Sequence, residues 1–409
     1  MQHRIVVLGG GYTGAVAAGR LARRLRREDV AITLVNAEPD FVERVRMHQV
    51  ATGQDLRPRP FGEMFAGTGV GLRFATVTGV DVDRRTVTVA AGSGVSEIGY
   101  DTLVYALGSG WNDHGVPGAA EHAYEMAGRP GALRLRERLA GLGAGQTVVV
   151  VGGGLTGLEA ATEIAEARAD LDVAVVADGA LGDWLSPKGR GHLRKVLAGL
   201  GVTVHEHTTV TGVEAGRVLT AGGGAVPAAV TVWATGFAVH PIAAATSLEV
   251  TGTGQIVVDG TMRSVSHPDV YAIGDAAMAL GPGNKPLRMS CASGIPAAWL
   301  AADAIAARLT GGKLPGTRVR YFNQCVSLGR KEGLIQYVTA DDRAVGAALT
   351  GRLAAVYKEV VCRGAAWGVA HPTFGLPVRR RPVTLRRAEP GGREAGVERE
   401  APTPSRGPR

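Results

Sequence analysis

Arg4-Ile5-Val6-Val7-Leu8-Gly9-Gly10-Gly11-Tyr12-Thr13-Gly14 stands near the N-terminus, and Thr147-Val148-Val149-Val150-Val151-Gly152-Gly153-Gly154-Leu155-Thr156-Gly157 repeats its pattern farther along. Each is a short β-branched run, a GxGxxG turn and then a helix-like stretch, Ala15 to Arg27 in the first copy and Leu158 to Arg168 in the second. Gly9 permits a tight turn, Gly11 lets a pyrophosphate approach the backbone, and Gly14 lets the helix lie close to the strand, with the helix N-terminal amides facing the phosphates. Gly152, Gly154 and Gly157 repeat those roles, and Tyr12, Thr13, Leu155 and Thr156 complete the two candidate binding loops. A further strand follows each helix, Ala31 to Val35 and Val173 to Val176. One such loop among 60 glycines is weak evidence. Two in matching contexts predict an α/β protein with two Rossmann-like dinucleotide-binding domains, one for a resident dinucleotide and one for a visiting one. Where the first copy calls for a ribose-binding acid the chain has Asn36, with Glu38 two residues on; both are candidates for the ribose hydroxyls.

The chain has 409 residues, 45% hydrophobic and 20% charged, enough for two nucleotide-sized domains and an appendage. Its three cysteines, Cys291, Cys325 and Cys362, lack the CxxC spacing of a structural zinc site or a redox dithiol, and no metal is expected. The formal charge of +8 is concentrated at the C-terminus, where residues 379–409 hold nine arginines and four glutamates. The body is therefore close to neutral, and no nucleic-acid partner is expected. No apolar run reaches the length of a membrane span, and the N-terminus does not read as a signal peptide. The expected location is cytoplasmic, with peripheral contact on the inner face of the membrane left open.

Further motifs follow in a fixed order. Tyr100 to Ser109 lead into an ATG-like element with Leu107 in place of threonine and Gly108 in the cofactor-binding set; Val232-Trp233-Ala234-Thr235-Gly236 gives a second; Val270-Tyr271-Ala272-Ile273-Gly274-Asp275 gives a late one. With these, residues 4 to about 310 resemble the pyridine nucleotide-dependent flavoprotein oxidoreductases. The resemblance implies a glutathione reductase-like architecture of two dinucleotide domains, with FAD resident and NADH or NADPH visiting. It also implies that Asp275 binds the ribityl chain and that the helix after it points its N-terminus at the flavin. Gln49-Val50-Ala51-Thr52-Gly53 and the GVPG segment Gly115 to Gly118 are similar to type II NADH dehydrogenases, which pass electrons from NADH through FAD to quinone. In that branch the position of Glu159 lies near the contact of nicotinamide and flavin, which makes it the candidate catalytic residue. Arg44, Arg46 and His48 fall on the segment that the resemblance sets under the flavin, and Arg44 and His48, with Val77 and Ser290, complete the cofactor-binding set.

The absence of cysteine before Cys291 argues against a thiol relay to a disulfide substrate. Ala177 and Asp178 end the second nucleotide strand, with Lys188 and Arg190 downstream; an acid repels a 2'-phosphate and a base attracts it, so NADH and NADPH both stay open. His205 and His207 flank Glu206 on an expected strand, and Gly222 to Gly224 read as a hairpin turn.

The expected partition is an FAD domain of residues 1–112 and 238–315, an inserted NAD(P) domain of 113–237, a C-terminal interface region of 316–378 and a disordered basic tail of 379–409. In the third region Ala354, Val356, Val360, Val361 and Trp367 alternate with Arg352, Lys358, Glu359 and Arg363, as in an amphipathic helix that packs on the core or docks on a membrane. The expected function is an FAD-dependent NAD(P)H dehydrogenase whose acceptor is quinone-like or an organic metabolite, with a homodimer left open. Three alternatives stand beside it: a flavin enzyme of secondary metabolism, a ferredoxin-type reductase, and a non-catalytic redox-responsive flavoprotein.

Overall fold

The Ile5–Leu8 run is fully apolar, as a strand covered on both faces must be, and it forms the centre of a parallel sheet. The computed structural model describes residues 1–375 and 379–384. In chain order β1 is His3–Leu8, α1 Tyr12–Arg24, β2 Val30–Asn36, β3 Val70–Phe74 and β4 Thr102–Tyr105. The Val270–Ala272 strand joins them in the order Val270–Ala272, β4, β1, β2, β3, all parallel. The second copy follows: β5 Thr147–Val151, α2 Leu155–Ala167, β6 Asp172–Val176, β7 Thr203–His205 and β8 Val230–Trp233. Its parallel sheet runs β7, β6, β5, β8, Ala123–Tyr124, so the glycine-loop strand has the same neighbours as in the first sheet. A two-stranded ribbon, Ser109–Trp111 against Phe237–Val239, connects the two halves.

The chain continues into α3, Cys291–Leu309, whose packing against α1 buries Ala298, Ala301, Ala302 and Ile305. Then come β9 Asn323–Ser327, β10 Gly333–Val338 and β11 Ala344–Thr350, an antiparallel sheet, and α4 Arg352–Ala370. No helix among the described residues is long and apolar enough to cross a membrane.

Four expectations change. His207 lies beyond the end of β7 in a left-handed conformation, so His205 and His207 share no strand face. Val77 is on an antiparallel strand, Thr76–Asp81, buried in the hydrophobic core away from the cavity described below. The part of the basic tail at 381–384 is held: Arg381 bridges to Leu25, Val383 N–H donates to Asp29, and Thr384 N–H donates to the Leu309 carbonyl. Residues 385–409 of that tail lie outside the described residues. Finally, α4 divides differently from its expected faces: Ala354, Cys362, Ala366 and Val369 are buried and Lys358 lines the cavity, while Val356, Val360 and Trp367 are exposed together with Arg352 and Arg363. By contrast, Gly222 to Gly224 do form the turn between the paired strands Arg217–Thr220 and Ala225–Pro227.

Candidate functional site

The two glycine loops are built alike. A Cβ on Gly9 would run into the carbonyl oxygen of Ala106, just past β4, and one on Gly152 into that of Ala234, just past β8. A Cβ on Gly14 would strike the Gly9 carbonyl, and one on Gly157 the Gly152 carbonyl. Gly11 and Gly154 are different: each is the N-cap of its helix, and a Cβ there meets nothing within 4 Å. Neither helix has a side-chain cap or an acid in its first turn. Their first N–H groups are therefore left to whatever fills the space before them, which suits an anionic pyrophosphate. This space is a cradle that a side chain would block, and it occurs twice.

Both cradles open into one continuous cavity of about 1680 Å³. That is well above the ~300 to 1,000 Å³ of a drug-sized pocket. On the first side Gly9, Gly11, Tyr12, Thr13, Asn36, Glu38, Arg44, His48, Gly108, Gly274, Asp275 and Ser290 line it. On the second, Gly152, Gly154, Leu155, Thr156, Glu159 and Gly236 do. Gly14 and Gly157 stay behind the loops as packing positions.

Asn36 lines the cavity and also braces the loop: its Oδ1 accepts from the Gly10 N–H at 2.8 Å and its Nδ2 donates to the Glu38 carbonyl at 2.8 Å. The Glu38 carboxylate is the one beside the first cradle that faces the cavity exposed. Deeper in, Arg44 Nη1 lies 3.3 Å from Asp275 Oδ2 and Nη2 donates to Ser109 Oγ at 3.1 Å, while Ser109 donates to Asp275 at 2.6 Å. The Phe237 ring covers the Arg44 guanidinium at 4.5 Å. Arg46, two residues on, turns away and pairs with Glu43 and with Glu359 of α4.

Between the cradles stands Glu159, on the second turn of α2. Its Oε1 accepts from Lys358 Nζ of α4 at 2.9 Å and from the Ser327 N–H of β9 at 3.0 Å, and its Oε2 lies 4.0 Å from His48 Nδ1. Burial favours the neutral acid, but Lys358, His48 and Ser327 together outweigh it and hold the Glu159 carboxyl below its ordinary range. Burial drives His48 down to about 4, against the attraction of Glu159, so the imidazole is neutral near pH 7. Lys358 is raised: burial opposes its charge, yet Glu159 prevails. Lys358 also donates to the Cys325 carbonyl at 3.1 Å.

Lys358 is the functional candidate that sequence reasoning missed, because in the sequence it reads as the charged side of an amphipathic helix. The cysteines were also underread. Cys291 at the start of α3, Cys325 on β9 and Cys362 one turn after Lys358 all line this end of the cavity, though they are far apart in sequence. Burial raises all three thiols, with Lys358 pulling the other way. On the nucleotide side Asp178 and Asp183 line the cavity past the end of β6, whereas Lys188 and Arg190 do not.

Twin glycine cradles on twin parallel sheets, joined by a ribbon and meeting in one cavity, define a two-dinucleotide oxidoreductase architecture. The chain belongs to the pyridine nucleotide-disulphide oxidoreductase family, whose signature covers residues 3–304. It is 30% identical over 349 residues to an NADH dehydrogenase-like protein of Mycobacterium tuberculosis, spanning 80% of this chain and 86% of that protein. It is 24% identical over 371 residues to the demethylphylloquinone reductase NdbB of a Synechocystis species, spanning 87% and 92%. In fold it resembles NDH2 of Plasmodium falciparum, solved in complex with NADH, with a TM-score of 0.77 at 14% identity over 91% of this chain and 97% of that one.

Proposed function

We propose that the protein is an FAD-dependent NADH dehydrogenase that delivers the electrons to a quinone-type acceptor. The observation that carries this reading is the single cavity reached by both open cradles, with the Glu159–Lys358 pair between them. Gly9, Gly11 and the α1 N-terminus would hold the FAD pyrophosphate, Glu38 its ribose, and Arg44, Ser109 and Asp275 its ribityl side. Bound there, FAD supplies a ring that accepts hydride from nicotinamide and returns two electrons to a quinone. The chain's own contribution is proximity: hydride transfer needs the two rings in contact at ~3 to 3.5 Å and no protein base. Glu159 stays ionised and, anchored by Lys358 and Ser327, positions groups that enter beside it. The neutral His48 and charged Lys358 provide hydrogen-bond donors where a quinone oxygen gains charge.

NADH is the preferred donor in this reading, since Asp178 and Asp183 face the cavity and would repel a 2'-phosphate. Peripheral membrane contact is supported by α4. Its inner side brings Lys358, Val361 and Cys362 to the cavity, while Leu353, Val356, Val360 and Trp367 are exposed on its outer side. A membrane-borne acceptor would then have a short route inward.

The test is an anaerobic titration of the flavin-loaded protein with NADH and separately with NADPH, followed by addition of a quinone. Rapid bleaching by NADH and recovery on adding quinone are expected. A bound flavin that neither nucleotide bleaches would refute the dehydrogenase reading.

A further inference from the structure

Behind Glu159, one turn farther along α2, a second glutamate is buried outside the cavity lining. Glu163 is 2% exposed, and its i, i+4 spacing from Glu159 puts both carboxyl groups on one helix face. Its Oε1 accepts from Gln54 Nε2 at 2.6 Å, while its Oε2 is buried and meets no donor among the described residues. An anionic oxygen left without a donor in the interior is costly, so a proton is favoured there. Burial raises this carboxyl to about 7; Glu166 and Glu159 add to the effect, and Arg330 and the Gln54 bond oppose it. Glu166 is itself engaged, accepting from the Arg330 backbone N–H and lying 3.6 Å from Lys331. The groups form a row from cavity to surface. Lys358 and Glu159 line the cavity, Glu163 stands behind them, and half-buried Gln54 and the Arg330 side chain, 39% exposed, reach the outside.

Reduction of a quinone by NADH, NADH + H⁺ + quinone → NAD⁺ + quinol, takes one proton from solvent in each turnover, because the nicotinamide supplies only one hydrogen with its two electrons. We propose that Glu163 loads that proton: it takes it from solvent at the Gln54 and Arg330 edge and hands it through Glu159 to Lys358. The proposal rests on the quinone reading above and deepens it by naming where the proton enters. As a quinone oxygen gains charge, an N–H bond of Lys358 Nζ breaks and an O–H bond forms on the quinone. Glu159 then takes the Glu163 proton and passes it to Nζ, and solvent reloads Glu163, so the chain ends with the charge it began with. Because Glu163 acts through Glu159, it is a positioning residue for the proton and touches neither nucleotide nor acceptor.

The test compares two acceptors on the flavin-loaded full chain: menadione, a quinone that needs the proton, and ferricyanide, which takes electrons alone. Glu163→Gln should lower the ratio of menadione to ferricyanide turnover roughly 100-fold. In wild type, menadione turnover should fall as pH rises through about 7, where Glu163 loses its proton, and ferricyanide turnover should not follow that curve. Gln54→Leu removes the donor to Oε1 and should move the fall to higher pH. Infrared spectra of the full chain, recorded as pH is stepped through neutrality, give a readout apart from turnover: the band of a protonated carboxyl that titrates near 7 should be present in wild type and missing in Glu163→Gln. An unchanged acceptor ratio in Glu163→Gln, an equal loss with both acceptors, an unmoved pH profile in Gln54→Leu, or a wild type without that band overturns the inference and leaves the quinone reading standing. A wild type that reduces ferricyanide and no quinone overturns both.

Discussion

Replacing Lys358 by methionine removes the cation from a pair whose side chains are only 17% and 11% exposed, so solvent screening does little to soften the loss. An uncompensated buried carboxylate would cost ~3 to 5 kcal/mol. The protein can avoid part of that by binding a proton at Glu159, since burial keeps His48 neutral, and the cost of doing so sets a ceiling. Taking an ordinary glutamate value of ~4.3 and 1.36 kcal/mol per pH unit, the ceiling is about 1 kcal/mol at pH 5 and about 4 kcal/mol at pH 7.5. In the wild type Glu159 has a lowered value, so its pairing stabilises the fold above the ordinary carboxylate range and is lost as pH falls through the lowered value. In Lys358→Met the burial that remains raises Glu159, so the folded state holds a proton the unfolded chain releases, and stability falls as pH rises. Urea denaturation at the two pH values should therefore give a penalty ~2 to 3 kcal/mol larger at the higher one. The lost bond to the Cys325 carbonyl adds a pH-independent offset. The double variant Glu159→Gln/Lys358→Met should cost less than the sum of the singles. A penalty independent of pH, or full additivity, would show that the two groups are not the coupled pair described.

The glycine loops offer a direct contrast. Gly14→Ala drives a Cβ into the Gly9 carbonyl and should cost ~2 kcal/mol or more in thermal or urea denaturation, whereas Gly11→Ala meets no protein atom and should leave stability within ~0.5 kcal/mol while weakening flavin retention at least ~10-fold. Asp178→Ala should narrow the preference for NADH over NADPH in flavin bleaching, and an unchanged ratio would remove Asp178 from the ribose site. Burial pushes Glu163, one turn beyond Glu159, up to about 7, against Arg330 and the bond from Gln54. Its raised value means stability present below the ordinary glutamate range and lost as pH climbs toward 7. Glu163→Gln keeps the Gln54 bond and should be more stable than wild type above pH 7 by roughly 2 to 3 kcal/mol, with little difference at about pH 4. A variant no more stable than wild type at high pH would show that Glu163 is ionised at little cost.

The sequence alone determined the twin glycine loops, their strands and their helices, because those rest on local rules: β-branched runs make strands, and glycine is demanded where a carbonyl lies against the loop. Thr147–Val151 is the strand it reads as, and α1 and α2 start three residues earlier than expected, at Tyr12 and Leu155, since the last glycine of each motif is already helical. Local rules also mislead. Asn36 reads by position as a ribose ligand only, but its amide also braces the loop through Gly10 and Glu38, which the loop's path decides. Val77 sits on a strand and nothing in its neighbourhood of sequence says which side of the sheet system holds the cavity. Only the tertiary structure decided that Lys358, 199 positions after Glu159 in the chain, closes on that carboxylate, and that three scattered cysteines share its wall. The reason is that the energy of a buried ion pair depends on distance and dielectric, which are properties of the packed interior and are not written in sequence spacing. The orientation of α4 has the same origin: its periodicity specifies two faces, and the pairing of Lys358 with Glu159 and of Glu359 with Arg46 selects which one turns inward.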